Sequence, residues 1–135
     1  MIAIDASISL AWFMKDEATE ATTSVLHRVM SSSAVAPTLW RLEVLNAMQV
    51  AIRRKRISKE ERDIMLGNLG QMPIHIDDAP PDHAWTTILQ LSDDHVLTAY
   101  DASYLELAIQ RQLPLATLDR QLADAARAAG IEVLP

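Results

Sequence analysis

Apolar positions along the chain fall into two kinds of run. Short, almost wholly apolar stretches alternate with longer ones in which apolar residues return every three or four positions. Met1–Ile4 (MIAI) reads as a buried strand ending at Asp5. Ser7–Met14 and Glu17–Met30 follow as helices, the second carrying Ala21, Val25, Leu26 and Val29 at helical spacing. Ala34–Pro37 (AVAP) is a second strand closed by proline, and Thr38–Arg56 a long helix with Leu39, Leu42, Leu45, Met48 and Ile52 along one side. Ser58 with Glu61 three residues later is a capping-box signature, which starts a further helix running to about Gly70.

The second half repeats the alternation. Pro73–Ile76 (PIHI) is a third strand, and Pro81 suits the first turn of a helix continuing through Ala84, Ile88 and Leu91. After Ser92–Leu97 the run AYDASYLELA begins another helix, Leu113–Thr117 (LPLAT) is a fourth strand, and a helix from about Asp119 to Ala129 stops at Gly130. IEVL is the last strand. Strands separated by helices imply right-handed crossovers and a mainly parallel sheet of about five strands, covered on both faces. Neither a repeat nor a linker interrupts the pattern, so residues 1–135 are expected to form one α/β domain.

Composition narrows the picture. Half of the residues are hydrophobic but few are aromatic, so aliphatic side chains must fill the core. Without cysteine there are no disulfides and no thiolate metal sites. No apolar run is long enough for a membrane span, and MIAIDAS lacks a basic leader, so a cytoplasmic protein is expected. A formal charge of −6 argues against nucleic-acid binding by bulk charge alone, and the one dense basic run is Arg53, Arg54, Lys55 and Arg56.

Four carboxylates stand out by position. Asp5 lies just past the first strand and Asp119 two residues past the fourth, at the carboxyl ends where open α/β sheets bind ligands. Glu43 sits among leucines in the long helix, with Asn46 three residues on, on the same face, able to orient it. Asp101 starts the helix before the fourth strand. Together they would be too negative to persist without cations. Hard oxygen donors, no thiolate and four scattered histidines favour Mg²⁺ or Mn²⁺ over zinc. Such sites serve phosphodiester hydrolysis without a protein nucleophile.

Each acid also has an ordinary reading. Asp5 and Asp119 suit helix N-caps, Asp101 suits a helix dipole, and Glu43 suits a solvated helix face. Ser7 and Thr117 flank Asp5 and Asp119, where a hydroxyl either holds a water or phosphate or bonds its own turn. The basic run and Arg41 could contact phosphates, although cations also suit a helix end. Tyr100, Tyr104, Trp12 and Trp40 read as packing residues rather than stacking platforms.

In that order, IDAS, LEVLNA, LTAYDASYLELA and ATLDRQL resemble the PIN-domain family, nearest to the VapC-type toxin ribonucleases of bacterial toxin–antitoxin pairs. The resemblance spans essentially the whole chain. It implies a PIN-like three-layer α/β/α sandwich and a Mg²⁺- or Mn²⁺-dependent endoribonuclease. It also implies a homodimer and a small antitoxin whose C-terminal segment fills the active-site groove. Asp5, Glu43, Asp101 and Asp119 match the family's acidic metal-binding quartet, and Ser7, Asn46 and Thr117 its supporting polar positions. Two divalent ions there would offset four of the six formal negative charges. Two rivals remain: a catalytically silent PIN-like binding module, and a metal-dependent phosphatase with Asp5 as nucleophile. The phosphatase pattern has a second aspartate two residues on, where this chain has Ser7.

Overall fold

In the computed structural model, which describes residues 1–135, five short parallel strands carry seven α-helices. β1 (Ile2–Ile4) lies at the centre, fully buried, as its apolar run requires. It pairs with β2 (Ala34–Pro37) in the register Ile2 to Ala34, and with β4 (Leu115–Ala116) in the register Ala3 to Leu115. β3 (Ile74–Asp77) and β5 (Val133–Leu134) form the edges, giving the order β3-β2-β1-β4-β5.

The helices are α1 (Ala6–Ala11), α2 (Glu20–Ser32), α3 (Leu39–Arg53), α4 (Lys59–Gln71), α5 (Thr87–His95), α6 (Ala99–Arg111) and α7 (Arg120–Ala128). Right-handed crossovers put α1–α4 on one face and α5–α7 on the other, in keeping with the α1–α3, α5–α6 and α6–α7 packing. The expected three-layer sandwich is present. Because β1 leads outward to β2 and β3, and the chain then returns to β4 on β1's other side, the strand order reverses between β1 and β4. Open α/β sheets bind ligands at the carboxyl end of such a switch point.

Several boundaries differ from the sequence reading for local reasons. α2 begins at Glu20 rather than Glu17, because Thr19 and Thr22 form a reciprocal capping box. At α4, Ser58 accepts from the Glu61 N–H, the backbone half of the expected box. The helix expected to continue from Pro81 is broken. Pro81–Trp85 is a 3-10 turn, and α5 starts only after Thr86 leaves helical geometry. α5 then runs to His95 and stops where Val96 is left-handed, held by Gln121 donating to the Val96 carbonyl.

The largest difference lies in α3. Its core face is Trp40, Val44, Met48 and Ala51, so of the expected stripe Met48 is buried, Leu39 and Ile52 pack partly buried against the core, and Leu42 and Leu45 turn outward. Leu42 is 70% exposed and Leu45 is also exposed. Both stripes are apolar at helical spacing, and only docking against the sheet and α1 selects between them. Trp40 is fixed there by its indole N–H, which donates to the buried Ser9 hydroxyl. α6 is buried over seven consecutive residues, Ala102–Ala108, as it packs on β1, β2, α5 and α7.

Candidate active site

Asp5 caps α1, its Oδ1 accepting from the Ile8 N–H at 3.1 Å. The Ser7 hydroxyl donates to the same carboxylate at 2.7 Å, and the Thr117 hydroxyl donates to Oδ2 at 2.5 Å. Thr117 in turn accepts from the Asp119 N–H, and Ser7 from the Leu118 N–H. Asp119 caps α7 by accepting from the Leu122 N–H at 2.8 Å. Hydroxyls and caps thus join the carboxyl ends of β1 and β4. The capping readings of Asp5 and Asp119 hold, and these caps fix both acids at the switch point.

Glu43 and Asp101 come from opposite faces of the sheet and meet across a cleft. The cleft encloses about 550 Å³ and is lined by Leu39, Leu42, Glu43, Asn46, Thr98, Tyr100 and Asp101, with Ala47 at its side. Thr98 caps α6 by accepting from the Asp101 N–H. Asp101 therefore stands in the first turn, where the helix dipole favours it. Asn46 shares the cleft with Glu43, but no hydrogen bond joins them.

Electrostatics tie the four acids together. Burial raises the Asp5 carboxyl above its ordinary value, opposed by its hydrogen bonds to Thr117, Ser7 and Ile8, while the Asp101 charge adds to the rise. Glu43 is pushed up to about 7, first by burial and then by Asp101 and Asp5. Asp101 is raised by burial and by Asp119, against the bond from Thr98. One Glu43 oxygen, Oε1, is buried without any hydrogen-bond partner. A desolvated carboxylate oxygen facing other carboxylates is costly unless a cation or proton meets it.

This donor set, all oxygen and mutually repelling, fits a hard divalent cation. As placed, no three of the acidic or histidine side chains stand close enough together to enclose an ion.

Other residues named from sequence fall elsewhere. Arg41 lines a separate apolar groove with Trp40, Val44, Leu45 and Leu69, away from the acid cleft. Arg56 is paired with Asp16 at 2.7 Å and approaches Glu17, so it clips the end of α3 to the loop after α1. Arg53, Arg54 and Lys55 are exposed. The aromatic residues expected to pack divide. Trp40 and Tyr104 are buried, and Trp12 donates to the Thr22 carbonyl, but Tyr100 is 66% exposed on the rim of the acid cleft. Sequence reasoning also missed Thr98, although the T-x-x-D spacing of Thr98 and Asp101 carries the capping signal.

A parallel α/β sheet with a carboxylate centre at its switch point defines the class. The PIN domain family model matches residues 2–128, and the chain belongs to the PIN-domain family, whose members are generally nucleases. Solved structures share the fold at low identity. PAE2754 from Pyrobaculum aerophilum is 21% identical with a TM-score of 0.74, over 98% of this chain and 87% of that one. FitAcB from Neisseria gonorrhoeae is 17% identical with a TM-score of 0.68, over 100% and 97%. FitAB bound to an IR36 DNA fragment is 16% identical with a TM-score of 0.65, over 99% and 94%. No curated protein matches the chain.

Proposed function

We propose that residues 1–135 act as one PIN domain with Mg²⁺- or Mn²⁺-dependent endoribonuclease activity, the toxin of a VapC-type toxin–antitoxin pair. The observation that carries this reading is the coupling of Asp5, Glu43, Asp101 and Asp119 at the switch point, with Glu43 Oε1 buried and unpartnered. Asp5, Glu43 and Asp101 would hold a divalent ion, with Asp119 alongside, and when bound it would supply Lewis acidity at the phosphodiester and acidify water. The chain's own residues do the rest. Ser7 and Thr117 hold Asp5 by hydrogen bonds, and the α7 cap holds Asp119. The exposed ring of Tyr100 and the side chain of Leu42 give the cleft an apolar rim suited to an unstacked base. Water attacks phosphorus in line as the bond to O3′ breaks, leaving a 5′-phosphate and a 3′-hydroxyl.

Arg53 and Arg54 lie about ten residues along α3 from Glu43, or ~15 Å at the helical rise. That distance suits phosphates a few nucleotides from the cleft. A small antitoxin, a homodimer and a cytoplasmic setting complete the reading; no helix is long and apolar enough to cross a membrane.

The phosphatase alternative asks Asp5 to attack as a nucleophile. Its carboxylate is instead committed to Ser7, Thr117 and the Ile8 N–H, an arrangement suited to a ligand.

The decisive experiment incubates purified protein with single-stranded RNA and Mg²⁺ or Mn²⁺, with and without chelator, beside Asp101→Asn. Metal-dependent cleavage lost in the variant is expected. Cleavage that survives Asp101→Asn would remove the site assignment, and phosphoester hydrolysis without RNA cleavage would favour the phosphatase. Absence of both, with a metal-independent protein partner, would favour the silent module. Growth arrest on expression, relieved by a small neighbouring reading frame, tests the toxin role.

A further inference from the structure

Two side-chain atoms are buried in this structure without a hydrogen-bond partner: Glu43 Oε1 and Tyr104 Oη. Tyr104 lies on α6 one turn after Asp101, 1% exposed. Positions three apart on a helix share a face, and Tyr104, buried and outside the cleft lining, lies beneath the cleft rather than at its mouth. Burial first, and then the charges of Glu43, Asp5 and Asp101, raise the phenol above its ordinary value and keep it protonated, while the Ala6 backbone N–H opposes this from outside hydrogen-bond geometry. Tyr104 is therefore a hydrogen-bond donor with no acceptor, and Glu43, whose charge acts on it, carries a carboxylate oxygen with no donor. Packing alone explains neither. A phenylalanine would fill the same space without burying an unsatisfied hydroxyl.

We propose that Tyr104 is a positioning residue for Glu43. Its O–H donates to Oε1 as the acids close on a divalent ion, and so fixes the Glu43 rotamer that turns the remaining oxygen toward Asp5 and Asp101. The inference rests on the metal-dependent reading of the site. It adds a neutral donor from the core to a cluster otherwise described by its charges. Hydrogen bonds of this supporting kind orient ligands, and their loss weakens metal affinity 10–100-fold.

The test is Tyr104→Phe, with Mn²⁺ affinity measured by calorimetry and thermal midpoints measured without metal. Expected are Mn²⁺ binding about tenfold weaker, a metal-free midpoint unchanged or raised, and RNA cleavage that recovers as Mn²⁺ is increased. Wild-type protein that binds Mn²⁺ no more tightly than the variant would overturn the inference and leave the nuclease reading standing. Wild-type protein that takes up no Mn²⁺ at all would overturn both.

Should the variant be destabilised, a second measurement on the wild type decides. The chain has only two tyrosines, so a spectrum of tyrosine labelled with ¹³C at Cζ has two signals, assigned with Tyr100→Phe. The Tyr104 signal is expected to move on saturation with Mg²⁺ as its hydroxyl gains an acceptor. A Tyr104 signal that stays in place would refute the proposal.

Discussion

Replacing Glu43 with glutamine keeps the size of the side chain and removes a charge that folding makes expensive. Burial, then Asp101 and Asp5, push this carboxyl from 4.5 to about 7. At about 1.36 kcal/mol for each tenfold change in proton affinity, the shift corresponds to ~3 kcal/mol. Glu43 is only partly buried, so solvent screening reduces the usable figure to about 1–2 kcal/mol. The sign follows from proton binding. Between about 4.5 and 7 the folded chain holds the Glu43 proton more tightly than the unfolded chain, so stability falls as pH rises through that window. Above 7 the penalty is complete.

Glu43→Gln should therefore be more stable than wild type at pH 8 in chelator, by about 1–2 kcal/mol. In a domain of this size that is a rise of roughly 3–8 °C in Tm. The advantage should shrink toward zero as pH approaches 4.5. Urea denaturation across that range reads the difference directly. Adding Mn²⁺ should reverse the order at pH 8, because the wild type keeps a ligand that the variant lacks. A variant no more stable than wild type at pH 8, or one whose advantage is the same at every pH, would refute the electrostatic account of the site.

Other expectations follow from single contacts. Asp101→Asn should abolish cleavage yet melt within a few degrees of wild type, since losing a first-turn charge costs only about 0.3–1 kcal/mol and relieves repulsion from Asp119. Thr117→Val should cost ~1–3 kcal/mol in denaturation at neutral pH, because it strips a donor from the buried Asp5 carboxylate and an acceptor from the Asp119 N–H. Measured as log K against log salt, RNA binding by Arg53→Ala and Arg54→Ala should each lose ~0.7 of slope. Arg56→Ala should leave that slope unchanged, its guanidinium being engaged by Asp16.

Periodicity and punctuation alone were enough to find all five strands and most of the helices, because buried parallel strands and amphipathic helices leave opposite apolar signatures. Asp5, Glu43, Asp101 and Asp119 were legible for the same reason. Each interrupts an apolar run or follows a strand, where a carboxylate needs an explanation. That Asp5, Glu43 and Asp101 come near enough to feel one another's charge was not legible, because it depends on β4 inserting beside β1 rather than beyond β3, and no local pattern encodes which edge a returning strand joins. Nor could the chain by itself choose between the two apolar stripes of α3. Packing chose Trp40, Val44 and Met48 for the core and left Leu42 on the cleft, with Glu43 half-buried beside it. Tyr100 and Tyr104 read alike in sequence. One turn of α6 separates a ring open to solvent from a hydroxyl sealed in the core, and that difference arises only when the helix is docked against the sheet.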